Sequence, residues 1–132
     1  MEENNLDEYL QNLARLYDIS KLGNNWNGNN AKEIPWDVIG KAQSLLYRYR
    51  FNEETEIYVI ADEAIQFDWR DKDKNYLEVE IHKDNVRIYS CNNECETTYQ
   101  STIDGYDENE ISNIIDDFFS KKSRFKTLPN LI

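Results

Sequence analysis

Few residues in this 132-residue chain have side chains suited to chemistry, and their spacing limits what they can do. The soft metal ligands are one histidine, His82, and two cysteines, Cys91 and Cys95. A structural zinc takes four ligands, often as two closely spaced pairs. One Cys-x3-Cys and one histidine would still need a carboxylate. A Cys–His nucleophilic pair is the other chemistry open to them, but no helix N-terminus or oxyanion motif stands beside it. The plainer expectation is a turn, Asn92-Asn93-Glu94, flanked by two reduced thiols. With four glycines in all, no Gly-rich phosphate loop is present. The sequence predicts no catalytic residue, no metal and no cofactor, and a fold that needs neither metal nor disulfide.

The carboxylates are more informative. Ile65, Phe67 and Trp69 alternate with Gln66, Asp68 and Arg70, and Leu77, Val79 and Ile81 alternate with Glu78, Glu80 and His82. Both stretches have the period of a strand with one buried face. Pairing Ile65 with Ile81 sets Asp68 opposite Glu78 and Gln66 opposite Glu80. Directly opposed like charges destabilise a sheet by up to about 1 kcal/mol. Folding does not require that arrangement, so the face is a candidate for binding a basic partner, unless Arg70, Lys74 and Arg87 neutralise it locally. Paired carboxylates also run acid–base chemistry, but that needs a cleft to raise one pKa, and a flat strand face offers none. The candidate partner-binding residues are Asp68, Glu78 and Glu80, with Asp71 and Asp73 beyond them and Trp26 in a separate loop.

The elements that must position these residues follow from periodicity. Leu6, Tyr9, Leu10, Leu13, Leu16 and Tyr17 share one face of a helix over 5–18, capped by Asn4 or Asn5 and ended at Lys21-Leu22-Gly23 by a glycine turn. Pro35 opens a second helix over 35–50, with Val38, Ile39, Ala42, Leu45, Leu46 and Tyr49 inward and Gly40 marking a close helix contact. Strands follow at 57–60, 65–70, 77–82 and 86–90, with a weaker one at 96–102. Asp84-Asn85 is the expected two-residue hairpin turn. Asp107 and Glu110 form a capping box for a helix over 107–120, whose stripe is Ile111, Ile114, Ile115, Phe118 and Phe119. The fold class is therefore α+β: two N-terminal helices, an antiparallel meander of four or five strands spanning 57–102, and a C-terminal helix packed on the sheet. Residues 121–132 form a basic tail, and 1–132 make one domain. Trp69 should be buried against the last helix near Phe118 or Phe119.

Charge narrows the partners. The formal net charge is −11. Residues 1–52 carry seven acids and six bases, residues 53–117 nineteen acids and five bases, and residues 118–132 four bases and no acid. Nearly all the negative charge lies in the middle segment. Such a field repels nucleic acid and anionic membranes and attracts basic protein surfaces. Thirty-two residues are Leu, Ile, Val or Phe, about a quarter of the chain and enough for a folded core. No apolar run reaches the roughly 18–20 residues of a membrane span. The start, Met1-Glu2-Glu3-Asn4-Asn5, is unlike a secretory signal, so a cytoplasmic protein is expected.

Asn25-Trp26-Asn27-Gly28, followed by Ala31 and Pro35, resembles an Asn-Trp-Asp-Gly…Ala…Pro signature of small bacterial and phage proteins with no assigned activity. There too the loop lies between two helices, and a sheet with a terminal Trp follows, matched here by Phe67-Asp68-Trp69. The resemblance covers residues 6–119 and implies a fold and a bacterial or phage origin. Asn27 stands where the family carries Asp. By its residue types, Trp26 is a plug against the N-terminal helices or, alternatively, an exposed anchor for a partner.

In size and charge the chain is of the same physical type as phage-encoded anti-defence inhibitors, including anti-CRISPR proteins that mimic nucleic-acid charge. The expectation is a non-enzymatic inhibitor bound to a protein with a basic surface. A toxin immunity protein or antitoxin, a small structural or homo-oligomeric protein, and an enzyme with an unrecognised site are the alternatives.

Overall fold

A computed structural model describes residues 2–52, 54–121 and 123–125, with side chains described from Leu6 onward except that of Ser123. The elements are α1 (Glu2–Ser20), α2 (Trp36–Arg48), β1 (Glu56–Ile60), β2 (Ala64–Arg70), β3 (Tyr76–Ile81), β4 (Asn85–Cys91), β5 (Thr97–Asp104) and α3 (Glu108–Phe119), then a 3-10 turn at Ser123–Phe125. The strands form one antiparallel meander in the order β1-β2-β3-β4-β5. The fold is α+β, with two N-terminal helices, the meander, and the C-terminal helix packed on the sheet.

Period-2 alternation divides the sheet into two faces. Ile57, Ile65, Phe67, Trp69, Leu77, Val79, Ile81, Val86, Ile88 and Ile103 join one buried cluster with Leu16 and Ile19 of α1, five apolar residues of α2 with Tyr49 beyond its end, and Ile111, Ile114, Ile115 and Phe118 of α3. All three helices thus lie against one face, and no described helix covers the other. The expected register is present: Ile65 pairs with Ile81, Phe67 with Val79, and Trp69 with Leu77.

The inward set expected for α2 is buried in full. Asp107 caps α3 by accepting a hydrogen bond from the Glu110 amide at 3.1 Å. Tyr49 links the two helices, its hydroxyl donating to the Ser112 carbonyl at 3.1 Å and to Asp116 Oδ1 at 3.0 Å. Burial raises the pKa of this tyrosine, so the hydroxyl stays a donor.

Other expectations need correction. The first helix begins at Glu2 rather than residue 5, and the proposed Asn4 or Asn5 side-chain cap lies outside the described side chains. Its buried positions are Asn12, Leu16 and Ile19, while Leu10 is 55% and Tyr17 59% exposed. The reason is polar. Asn12 Nδ2 donates to the Thr55 carbonyl at 2.9 Å, and an Arg15 guanidinium nitrogen donates to the Ile57 carbonyl at 3.1 Å. These bonds hold α1 along β1, and Tyr9 meets Tyr47 of α2. The helix is thereby rotated so that the far half of its apolar stripe faces solvent.

Gly40 marks no close contact, since a Cβ there would meet nothing within 4 Å. The positive φ after α1 falls on Asn25 (63°), not on Gly23. The β3–β4 hairpin turns through Lys83-Asp84, one residue earlier than expected, with the His82 amide bonded to the Asn85 carbonyl at 2.9 Å. Trp69 is buried, but its ring partners are Phe67 and Tyr49, whereas Phe118 meets Phe119 and Phe125 edge-on. Its indole N–H donates to Thr55 Oγ1 at 2.8 Å. Of the basic tail, Lys121 and residues 123–125 lie within the described residues. Lys121 pairs with Asp73 and Arg124 with Asp117 at 2.6 Å.

Candidate functional site

The open face of the sheet carries its residues in rows set by the register. One row runs Glu56–Asp68–Glu78–Tyr89–Gln100 across all five strands. The next runs Tyr58–Gln66–Glu80–Arg87–Thr102. Strands lie about 4.8 Å apart, so three carboxylates occupy successive positions of one row, with Glu80 two residues along β3 from Glu78.

Hydrogen bonds hold this row in place. Gln66 Nε2 donates to Asp68 Oδ1 at 2.8 Å, and the Tyr76 hydroxyl donates to Glu78 Oε2 at 2.7 Å. The Tyr58 hydroxyl donates to Glu56 Oε2. Desolvation by neighbouring side chains raises the Asp68 pKa, and the Glu56 charge adds to this, against hydrogen bonds from Gln66 and Tyr76 that lower it. The Glu78 pKa is raised mainly by desolvation and further by the charges of Asp68 and Glu80, while the Tyr76 bond lowers it. The Tyr76 pKa moves up, through its own burial and the carboxylates around it.

A depression of about 340 Å³ opens beside this row, lined by Glu54, Glu56, Tyr58, Asp68, Trp69, Arg70 and Tyr76. The expectation of a featureless strand face is corrected to that extent. The nearby cations do not close the row. Arg70 lies with its guanidinium carbon 4.8 Å from the centre of the Tyr76 ring. Among the described residues, no ion pair within 4 Å joins Arg70, Lys74 or Arg87 to Glu56, Asp68 or Glu78. Glu80 has a partner in His82, with 3.0 Å between Oε1 and Nε2.

Asp68, Glu78 and Glu80 therefore share one face, and the other candidates lie apart from it. Asp71 belongs to the β2–β3 turn, where Oδ1 accepts the amides of Asp73 and Asn75 at 2.9 and 3.0 Å, and Oδ2 accepts Asn75 Nδ2 at 2.9 Å. Asp73 is paired with Lys121, which lowers its pKa. Trp26 is half-buried in the α1–α2 loop, its indole N–H bonded to the Lys32 carbonyl at 3.0 Å. It is not part of the core cluster. Asn27 Oδ1 accepts the amides of Asn29 and Ala31 at 2.8 and 3.1 Å, so the amide oxygen does what an aspartate would do there.

His82 and the cysteines are not brought together. His82 follows β3 at the hairpin with β4, while Cys91 pairs with Tyr76 at the opposite end of those strands. Among the described residues, no three His, Cys, Asp or Glu side chains are arranged to hold a metal ion.

Sequence reasoning missed Glu56, Tyr58 and Tyr76. Glu56 sits one residue before the apolar Ile57, and a short β1–β2 turn would have carried the row onto a third strand. It also missed Trp36, which is 79% exposed at the start of α2. No described helix is long and apolar enough to cross a membrane. No family model, curated protein or solved structure matches the chain.

Proposed function

We propose that this chain is a non-enzymatic, cytoplasmic inhibitor whose acidic sheet face occupies a basic surface on another protein. The supporting observation is the row Glu56–Asp68–Glu78, three carboxylates side by side on a face no described helix covers, with no ion pair within 4 Å to any cation among the described residues. A row of negative charge at strand spacing suits a protein surface built for a phosphate backbone. The partner is accordingly one that normally holds nucleic acid, as expected of an anti-CRISPR-like anti-defence protein from a phage or mobile element. A catalytic role is less well supported, because the carboxylates are engaged with Tyr58, Tyr76 and Gln66 rather than with a nucleophile.

Affinity capture from the native host, with mass spectrometry, identifies the partner. Its nature separates a nucleic-acid-processing enzyme from a toxin, the target of an immunity protein. Asp68→Ala, Glu78→Ala and Glu80→Ala together should slow association with that partner and leave the fold intact. Wild-type affinity should fall as salt rises from about 50 to about 500 mM. Equal binding by the triple variant would show that this face is only solvated surface.

A further inference from the structure

The two N-terminal helices carry most of the apolar surface that the fold leaves exposed. Of the eight large hydrophobic side chains exposed among the described residues, Leu6, Leu10 and Tyr17 lie on α1, Trp36 and Tyr47 on α2, and Phe51 just beyond it. The ring contact of Tyr9 with Tyr47 sets the start of α1 beside the end of α2, with Leu6 and Leu10 within one turn of it. This surface is also uncharged. Its α1 residues are Leu6, Leu10, half-buried Leu13, Ala14 and Tyr17, and the exposed α2 residues beside them include Gln43, Ser44 and Tyr47. In a chain that is 31% charged, an exposed apolar surface without charge marks an interface.

We propose that α1 packs antiparallel on α1 of a second copy of the chain, so that the two helix pairs form a four-helix layer between two sheets. A two-fold contact requires a surface complementary to itself. The exposed stripe of α1 meets that requirement, because residues 6, 10, 13 and 17 are spaced four, three and four, the same from either end. This is also the spacing at which helices pack along a common seam. With the axis between Leu10 and Leu13, Leu10 lies on Leu13 of the partner subunit and Leu6 on Tyr17 of the partner subunit.

Charge selects this direction and this occupant. The antiparallel register brings Lys21 level with Glu2 of the partner subunit and sets Asp7 beside Ala14 of the partner subunit. It also opposes the two helix dipoles. A parallel pairing would instead align Glu2, Glu3 and Asp7 with their own copies. Residues 1–52 carry seven acids and six bases, so this is the part of a −11 chain that can approach itself. The acidic row lies on the opposite face of the sheet. Packed helices are about 8–10 Å apart, and a helix layer and a sheet in each copy separate the two rows further. That exceeds the roughly 8 Å over which charges act at physiological salt. The pairing leaves both acidic faces outward and does not depend on what they bind.

Sedimentation equilibrium of the full chain tests this directly. The wild type should have about twice the 15.8 kDa chain mass in the micromolar range. Leu10→Glu sets two carboxylates at the centre of the pairing, on a position that is exposed in the single chain. That variant should sediment at 15.8 kDa with an unchanged circular dichroism spectrum. Gln11→Glu adds the same charge on another side of α1 and should remain a dimer. In a Cys91→Ser, Cys95→Ser background, Leu6→Cys with Tyr17→Cys should give a disulfide-linked dimer on oxidation by oxidised glutathione. The two positions are about 16 Å apart along one helix, so the bond can form only between chains. Neither single cysteine should cross-link, because each position meets the other and not itself. A wild type that stays monomeric into the high micromolar range overturns the pairing. So does a dimer that survives Leu10→Glu, one that Gln11→Glu dissolves equally well, or one that a single cysteine cross-links as fully as the pair.

Discussion

Trp69 shows how much a single residue joins in this fold. It lies on the helix-covered face of β2, stacks on Phe67 at 5.6 Å, meets Tyr49 edge-on at 5.7 Å, and donates to Thr55. Thr55 in turn accepts from Asn12 through its carbonyl, so one buried polar chain runs from α1 through the start of β1 to β2. Trp69→Ala removes the ring and leaves the Thr55 hydroxyl without its donor. Large-to-small substitutions of buried aromatics cost about 3–5 kcal/mol, and urea unfolding should show a loss of that size. A loss under about 1 kcal/mol would mean that the indole is not a core side chain. The apolar alternation made Trp69 legible as core in the sequence. Its partners were not, because Tyr49 reaches it through the helix–sheet packing and Thr55 through the β1–β2 pairing.

At the scale of the element, α2 was the easier helix to read and α1 the harder. Every α2 residue expected inward is buried, since the helix lies on the sheet and its whole apolar stripe is covered. The α1 helix lies at the border of the sheet, bound to β1 through Asn12 and Arg15, so its stripe is only half covered. Hydrophobic periodicity reports which side of a helix is apolar, not how much of it finds a neighbour. The same limit applies to Gly40, whose position on α2 suggested a close approach that does not occur. Gly40→Ala adds a methyl group to open space in a helix interior and should stabilise the chain by about 1 kcal/mol. In a thermal melt this is a rise of roughly 3–5 °C for a domain of this size. A fall would show that the helix is crowded there after all.

For the whole molecule, stability should depend on pH in a way that the open face dictates. Asp68 and Glu78 have folded-state pKa values above their ordinary 3.8 and 4.5. In the window just above those values the folded chain holds more protons than the unfolded one. Stability therefore falls as pH rises through that window. The net charge of −11 acts in the same direction, as self-repulsion grows when acids ionise. Melting temperature should accordingly be higher near pH 5 than near pH 7. Asp68→Asn with Glu78→Gln should flatten that slope, because the neutral amides no longer lose a proton. If the double variant retains the full slope, these two carboxylates do not carry it and general repulsion does.

The sequence by itself determined the class of the fold and the pairing of its central strands. Both follow from local signals, periods of 3.6 and 2, and from an apolar set that can be buried in one register only. In that register Asp68 faces Glu78, so the core of the acidic face could be read from the chain. Tertiary structure alone decided what the remaining polar residues do. Whether Glu56 extended the row depended on the β1–β2 pairing, and whether Asp71 and Asp73 joined it depended on the turn that uses one and the Lys121 that pairs the other. Whether the β1 edge is covered depended on where α1 came to rest. Apolar burial is dictated by patterns within a few residues. A polar side chain takes whichever partner packing brings within about 3 Å, and that partner comes from anywhere in the chain.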